Sequence, residues 1–129
     1  MDGLVTVSSV YSVERTLSRL EAAIEENGLL TVAVIDHSGN AENVGLELPP
    51  TRLVIFGNPN VGTPLMQAGR TVAIDLPQKM LIYEDDAGDV FVAYNDPRYL
   101  AQRHGLSGVD EQLGGVSNAL SNLADAAAQ

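Results

Sequence analysis

A tight hairpin constrains the fold of this chain more than any other segment does. The stretch "KMLIYEDDAGDVFVAYND", residues 79–96, holds two apolar runs separated by the turn sequence "DDAGD". Such a short turn joins strands that run in opposite directions, because parallel strands need a much longer crossover connection. The chain is therefore expected to contain an antiparallel sheet.

Three further runs have the composition of strands. "LVTVSSVYS" predicts a first strand from Leu4 to about Ser8, and "TRLVIFG" predicts another at residues 51–57. "LLTVAVIDH", residues 29–37, is apolar until its last two residues, which predicts a central strand covered on both faces. "SGNAENVGLELPP", residues 38–50, is expected to form a polar loop, and "RTVAIDLPQ" a partly extended connection.

Three segments have the features of helices. Asp96-Pro97 offers a cap residue followed by proline at the first helical position, and Gly105 lies where that helix would end. The C-terminal helix is expected at about 108–126, with Ser107 as its cap and fraying last residues. Apolar side chains recur at the helical period in two segments: Val13, Leu17, Leu20 and Ile24, and then Val109, Leu113, Val116, Leu120 and Leu123.

The predicted element order is β-α-β-β-β-β-α-α. This order is mostly a meander with flanking helices, so it predicts an α+β fold with an antiparallel sheet of about five strands. It does not match a doubly wound nucleotide-binding fold. No repeat or linker divides the chain, and a single domain over residues 1–129 is expected, with its core at residues 3–105.

The charge and composition exclude several classes of partner. The formal net charge is −10, with only seven Lys and Arg and no basic cluster, whereas nucleic-acid binding needs a basic patch. No apolar run approaches the roughly 20 residues that span a bilayer, and the N-terminal stretch lacks the apolar segment of a secretion signal. We therefore expect a cytoplasmic protein that binds neither nucleic acid nor membranes.

The stretch "IFGNPNVGTPLMQAG", residues 55–69, superficially looks like a phosphate-binding loop. Gly57 and Gly62 have the spacing of a P-loop, but Thr63 and Pro64 stand where the lysine and the magnesium-binding hydroxyl belong. We interpret the stretch as a corner in which Thr63 caps a one-turn helix that begins at Pro64. A weak anion site at that helix end stays open as an alternative.

Few residues are candidates for chemistry. Asp36 and His37 end an apolar strand and point to opposite faces, so they cannot form a dyad; bonding to the following loop is the structural alternative for each. Asp75 lies in an apolar connection and would need a partner, such as Arg70 or the corner described above. His104 is expected to have a structural role at the end of a helix.

Metal and cofactor sites are not predicted. The chain has two His and no Cys, and it lacks the His and Glu spacings of transition-metal sites. The acidic "EDDAGD" turn is expected to be solvated, since it lacks the length and closing Glu of a calcium loop. No nucleophile elbow or dinucleotide fingerprint is present.

Four motifs occur in order along the chain: "IDHSGNA", "ELPPTRLVIFGNPNVGTPLMQAG", "AIDLP" and "VAYNDPRYLAQRHG". Together they resemble the domain of unknown function 302 family over roughly residues 3–105. The resemblance implies a TBP-like α+β fold and a homodimer, but no established activity, and a TBP-like fold does not imply DNA binding. The matched motifs supply six polar residues as one candidate cluster: Asp36, His37, Asn58, Thr63, Asp75 and Asn95.

Three functional hypotheses follow. The first is a homodimeric protein that binds a small ligand or a partner without catalysis. The second is an enzyme that uses Asp36, His37 or Asp75 as a general acid or base. The third is an assembly protein in which the apolar stripe of the C-terminal helix, including Leu113 and Val116, is buried between chains.

Overall fold

The computed structural model describes residues 1–129. Its five strands are β1 (Leu4–Ser9), β2 (Leu30–Asp36), β3 (Thr51–Gly57), β4 (Gln78–Glu84) and β5 (Val90–Asn95). Its α-helices are α1 (Val13–Glu26), α2 (His37–Asn43), α3 (Pro59–Ala68), α4 (Pro97–Arg103) and α5 (Asp110–Ala128), and a 3₁₀ helix spans Arg70–Asp75.

The strands form one sheet in the order β1-β5-β4-β3-β2, and every neighbouring pair is antiparallel. The β4–β5 hairpin has the predicted turn, and Met80 of β4 lies opposite Tyr94 of β5. The structure thus confirms the predicted α+β class and the five-stranded antiparallel sheet flanked by helices.

The predicted position of the second strand is wrong. β2 was expected in the centre of the sheet, but it pairs only with β3 and forms an edge. Leu30 and Val32 are 66% and 64% exposed, and the pairing register shifts between Thr31 and Ala33. A continuous apolar run indicates contact on two faces, but it carries no information on where the strand lies in the sheet.

One face of the sheet packs against α1 and α5 and forms the main core. Side chains alternate between the two faces along each strand, so every second residue contributes to this core. On α1, the predicted helical stripe buries Leu20 and Ile24, and Ser12 caps the helix by accepting a hydrogen bond from the Arg15 N–H. The strands contribute Val54, Phe56, Met80, Ile82 and Val92, each at most 1% exposed.

The other face of the sheet carries no helix from this chain. We call it the open face and define it by Ala33, Ile35, Leu53, Ile55, Leu81, Tyr83, Phe91 and Ala93. These side chains are apolar or aromatic, and none belongs to either hydrophobic core of the chain. Most of them are partly exposed.

A second, smaller core lies beyond one end of the sheet. It joins α3, the 3₁₀ helix, α4 and α5 through six buried apolar side chains: Leu65, Val72, Leu100, Ala101, Val109 and Leu113. This core holds the corner segment against the C-terminal helices.

Three segments differ from their predictions, and in two of them a side chain caps a helix start that the sequence pattern did not reveal. The expected polar loop at 38–50 begins with α2, whose N-cap is Asp36. The corner helix α3 begins at Pro59, capped by Asn58, and is ten residues long rather than one turn. Pro64 lies inside this helix, and the segment after it is a 3₁₀ helix rather than extended chain.

The C-terminal helix also differs at both ends. α5 begins at Asp110 without a side-chain cap, so Ser107 does not have the predicted role. Ala127 and Ala128 are fully buried rather than frayed, and the Val10 N–H donates to the Ala128 carbonyl at 3.0 Å. None of the helices combines the length and hydropathy needed to cross a bilayer.

Candidate functional site

The six polar residues predicted as a cluster lie at two opposite ends of the sheet. Asp36 and His37 follow the end of β2, where β3 begins, whereas Asn58 follows the end of β3, where β2 begins. A seven-residue strand at about 3.3 Å per residue separates these ends by roughly 20 Å. The structure therefore does not bring the six residues together.

Asp36 forms the cap of α2. Its Oδ1 accepts hydrogen bonds from the Gly39 N–H and the Ser38 hydroxyl, both at 2.8 Å, and lies 3.0 Å from the Arg52 guanidinium. The Gly39 N–H, followed by the Ser38 hydroxyl, holds the pKa of Asp36 below its ordinary value of 3.8. The Arg52 guanidinium also binds the Glu14 carboxylate at 2.6 Å. The Asp36 carboxylate is therefore part of a network that joins α1, α2 and β3.

His37 is the first residue of α2, and the helix leaves it exposed. Asn95 ends β5 opposite Leu4, while its neighbour Asp96 caps α4 by accepting from the Arg98 N–H at 3.0 Å. The predicted Asp96 cap of this helix is thereby confirmed.

Asn58 and Thr63 both line an apolar cavity at the β3–α3 corner. Asn58 has an extended backbone, and its Oδ1 accepts from the Asn60 N–H at 2.9 Å, which starts α3. Thr63 does not cap a helix as predicted but lies within α3. The cavity has a volume of about 380 Å³, and its walls come from the start of β2, the end of β3, α3 and the segment around Pro77.

A second cavity of about 400 Å³ lies on the other side of α3, towards α5. It shares four lining residues with the first cavity, Gly57, Asn58, Val61 and Gln78, and its remaining walls include Phe56 and the α5 residue Gly115. The corner segment thus lies between two cavities. A sequence pattern of turn residues does not predict such cavities.

Asp75 has different partners from those predicted. Its carboxylate binds the Arg103 guanidinium through both oxygens, at 3.0 and 2.9 Å, and also the Nε2 atom of His104. The His104 Nδ1 atom lies 2.8 Å from the Thr71 hydroxyl. Arg70 and the Asn58–Thr63 corner, the expected partners, do not contact this carboxylate.

This group of four residues is the polar cluster that sequence reasoning missed. The His104 side chain is only 7% exposed and that of Asp75 16% exposed, so their pairing compensates for the loss of hydration. The partners are 28 and 29 residues apart, and no local spacing connects them. The only signal available was that Arg103 and His104 end the last of the four family-like motifs.

A hydroxyl, an imidazole and a carboxylate in a row resemble the triad of serine hydrolases, in which the imidazole takes the hydroxyl proton and the carboxylate orients the imidazole. Here the Arg103 guanidinium occupies both carboxylate oxygens, and neither of the two apolar cavities is lined by Thr71 or His104. The arrangement ties α4 to the 3₁₀ helix. The acid-base hypothesis for Asp36, His37 or Asp75 stays a prediction.

Lys79, the single lysine, lies on the open-face side of β4, opposite Ile55. Its ammonium donates to the carbonyls of Asp75 at 3.1 Å and Pro77 at 2.9 Å. Burial lowers the pKa of Lys79, and the negative charge of Asp75 opposes this shift. No three His, Asp or Glu side chains lie close enough together to form a metal site.

These features define the class of the protein as an α+β domain with one open sheet face and an apolar corner cavity. A solved structure described as "uncharacterized conserved protein DUF302 from Bacillus stearothermophilus" has the same fold, with a TM-score of 0.87 and 18% sequence identity. The superposition covers 98% of this chain and 99% of the other.

The chain belongs to the family described as domain of unknown function DUF302, which matches residues 5–127. The predicted resemblance is thereby confirmed, and the match extends beyond residue 105 into α5.

Curated relatives come from Brucella species. The chain is 49% identical over 104 residues to the "Fluoride-specific ion channel FluC 1" of Brucella suis, a match that covers 81% of this chain and 41% of the relative. The "Fluoride-specific ion channel FluC 2" of Brucella melitensis matches with the same identity over 38% of its length. The chain thus spans about two fifths of these relatives.

Proposed function

We propose that this protein is a binding domain that forms a homodimer through its open face. The observation that carries the proposal is the apolar character of a sheet face that no element of the chain covers. Strands that are apolar on both faces are found where both faces are covered. A second copy, placed face to face, would cover all eight side chains of the open face.

The distribution of charge favours a second copy of the chain as the partner. The chain has 17 acidic residues and a net charge of −10, so two copies repel each other over most of their surfaces. None of the open-face residues is acidic, and the single charge on that side of β4 is the partly buried Lys79. Close approach of two copies is therefore least costly at this face.

The size of the face is of the order that a dimer needs. The eight open-face residues lie on four strands, β2 to β5. Four strands about 4.8 Å apart and seven residues at about 3.3 Å give roughly 440 Å² in projection. The accessible surface is larger than this projection because side chains stand out from the sheet. A stable interface buries about 800 Å² on each partner.

An aromatic pair lies on the open face and could anchor the contact. The rings of Tyr83 and Phe91 are 5.5 Å apart across the β4–β5 hairpin. Aromatic side chains are enriched among the residues that contribute most to interface energies.

Sedimentation velocity of the purified protein tests the proposal. The chain has a mass of 13.7 kDa, and we expect a particle of twice that mass at micromolar concentration. Leu81→Arg places a charge in the middle of the open face and should raise the dimer dissociation constant by at least ~100-fold. Asn118→Arg adds the same charge on the exposed side of α5 and should leave the dimer intact. A monomeric wild type, or a dimeric Leu81→Arg variant, would contradict the proposal.

A second candidate function comes from the Brucella relatives. In proteins named as fluoride-specific ion channels, a region similar to this chain accounts for about two fifths of the length. We infer that this protein acts beside such a channel as an accessory domain. Its cytoplasmic location stays a prediction from the sequence. Co-purification with a fluoride channel from the same genome should succeed with the wild type. Loss of the gene should alter the fluoride tolerance of the cells, and an unchanged tolerance together with no co-purification would contradict this candidate.

The assembly hypothesis based on the C-terminal helix needs a correction. Leu113, Val116 and Leu120 are at most 6% exposed because they pack within the two cores of their own chain. The surface expected between chains is therefore not present on α5. The open face takes its place in the proposed dimer.

A further inference from the structure

We propose that the 380 Å³ cavity at the β3–α3 corner binds an uncharged, mainly apolar small molecule that carries one hydrogen-bonding group. Its volume lies at the lower end of the range of about 300–1,000 Å³ for small-molecule sites. At ~30 Å³ per water, the cavity would hold about a dozen waters, so it suits a ligand of roughly ten to fifteen non-hydrogen atoms.

The walls of the cavity provide apolar contact on several sides. Leu65 is only 3% exposed, and Met66 and Leu76 are partly buried beside it. At the rim, Leu30 and Val61 remain 66% and 42% exposed in the free chain. Exposed apolar side chains around a concave surface are typical of a ligand site rather than of an unused surface.

Charge on the ligand is disfavoured by the lining. The chain has 7 basic and 17 acidic residues, yet none of the 14 lining residues is charged. Two charged groups adjoin the cavity in sequence, and both already have partners. The Asp75 carboxylate binds Arg103 and His104, and the Lys79 ammonium binds two backbone carbonyls. An ionic ligand would enter this apolar space without a counter-charge.

Three polar side chains of the lining provide the hydrogen-bonding group with partners. Asn58 lines this cavity and uses its Oδ1 to start α3, while its Nδ2 group donates no hydrogen bond within the chain. Thr63 and Gln78 line the same space and make no side-chain hydrogen bond within the chain. These groups suit a hydroxyl, a carbonyl or an amide at one end of an otherwise apolar molecule.

Gly62 provides a way to fill the cavity without disturbing the fold. A Cβ atom at Gly62 would meet only the ends of the Leu76 and Met66 side chains, both at 3.9 Å, which is ordinary contact. Because Gly62 lies within α3, a larger residue there also favours the helix. Gly62→Leu should therefore fold normally and occupy the proposed ligand space.

Gly115 is the matched control. It lies in α5, lines the second cavity, and a Cβ atom there meets nothing within 4 Å. Gly115→Leu therefore makes the same glycine-to-leucine substitution at the second cavity and leaves the proposed ligand site free.

The experiment is a fluorescence titration at neutral pH with 2-naphthol, an uncharged, mainly apolar fluorophore that has one hydroxyl group and lies within the proposed size range. We expect saturable binding to the wild type in the micromolar range, at least ~10-fold weaker binding to Gly62→Leu, and less than 2-fold change for Gly115→Leu. Circular dichroism melting of both variants shows that they fold. No binding to the wild type, equal binding to Gly62→Leu, or loss of binding only in Gly115→Leu would overturn the proposal.

The monomeric variant Leu81→Arg separates this inference from the proposed dimer. Unchanged probe binding by that variant supports a ligand site that belongs to one chain, whether or not the wild type is a dimer. Much tighter binding by the variant than by the wild type would show that a second copy fills the cavity, which would overturn the ligand proposal.

Discussion

The two faces of the sheet are built from the same strands but have different environments. In β4, Ile82 points to the helices and is fully buried, while its neighbour Leu81 points to the open face and is partly exposed. Both residues are large and aliphatic, so the sequence of the strand does not distinguish them. The difference arises because both helices that cross the sheet, α1 and α5, lie on one side.

The comparison teaches that this chain has more apolar sheet surface than its own helices can cover. Burial of a Leu or Ile side chain stabilises a protein by about 1.5–3 kcal/mol. On the covered face this stabilisation contributes to folding of the single chain. On the open face it becomes available only when something outside the chain covers the sheet. The following predictions test this division.

The largest effect is expected from truncating side chains on the two faces of β4. Ile82→Ala should lower the free energy of unfolding by about 2–5 kcal/mol because it leaves a cavity in the main core. Leu81→Ala should cost about 1 kcal/mol or less in the monomer, since that side chain has fewer contacts to lose. Urea unfolding at low protein concentration measures both values. Equal losses for the two variants would show that the faces are equivalent.

Enlarging side chains should show the same division with a smaller effect. Ala124 is fully buried. Ala124→Val should cost about 1–3 kcal/mol because adding carbon atoms to a packed core forces its neighbours to shift. Ala33→Val adds the same atoms on the open face of β2 and should change stability by about 0.5 kcal/mol or less. Thermal unfolding compares the variants. A large loss from Ala33→Val would mean that the open face is already packed within one chain.

Salt should affect association through the open face more than it affects the fold. Raising the salt concentration screens the repulsion between two chains of charge −10, so the dimer dissociation constant should fall a few-fold, roughly 1 kcal/mol. Sedimentation equilibrium at low and high salt measures this constant. The dissociation constant would instead rise with salt if charged groups attracted each other across the interface. Such a result would place the interface away from the open face.

Acid should lower the stability of the fold through Asp36, which lies on the side of the sheet that the helices cover. Because the folded chain lowers the pKa of Asp36 below its ordinary value of 3.8, the carboxylate stabilises the fold above that value. This contribution is lost as the pH falls through the lower pKa of the folded state. Asp36→Asn should therefore be less stable than the wild type at neutral pH, and the difference should shrink in acid. Urea unfolding at pH 7 and near pH 3 measures the change, and a difference that grows in acid would contradict this assignment.

Much of the fold follows from local patterns in the sequence. The β4–β5 hairpin, the apolar stripe of α1 and the Asp96-Pro97 helix start depend on residues close together in the chain, and the structure confirms them. The four motifs also identify the family, because order and spacing are properties of the sequence. Helix α2 was not predicted, because an aspartate that caps a helix and an aspartate that ends a strand cannot be distinguished by the sequence pattern alone.

The site depends on contacts that no local pattern reports. Strand hydrophobicity shows that β2 touches apolar surroundings, but its place at the edge depends on which strand pairs with which. Asp75 needs a partner because burying a lone charge is costly, yet only the packing of α4 against the 3₁₀ helix brings Arg103 and His104 to it. The open face and the corner cavity likewise arise from the arrangement of elements in space. Local propensity and capping act over a few residues, whereas these features depend on segments that are distant in the chain.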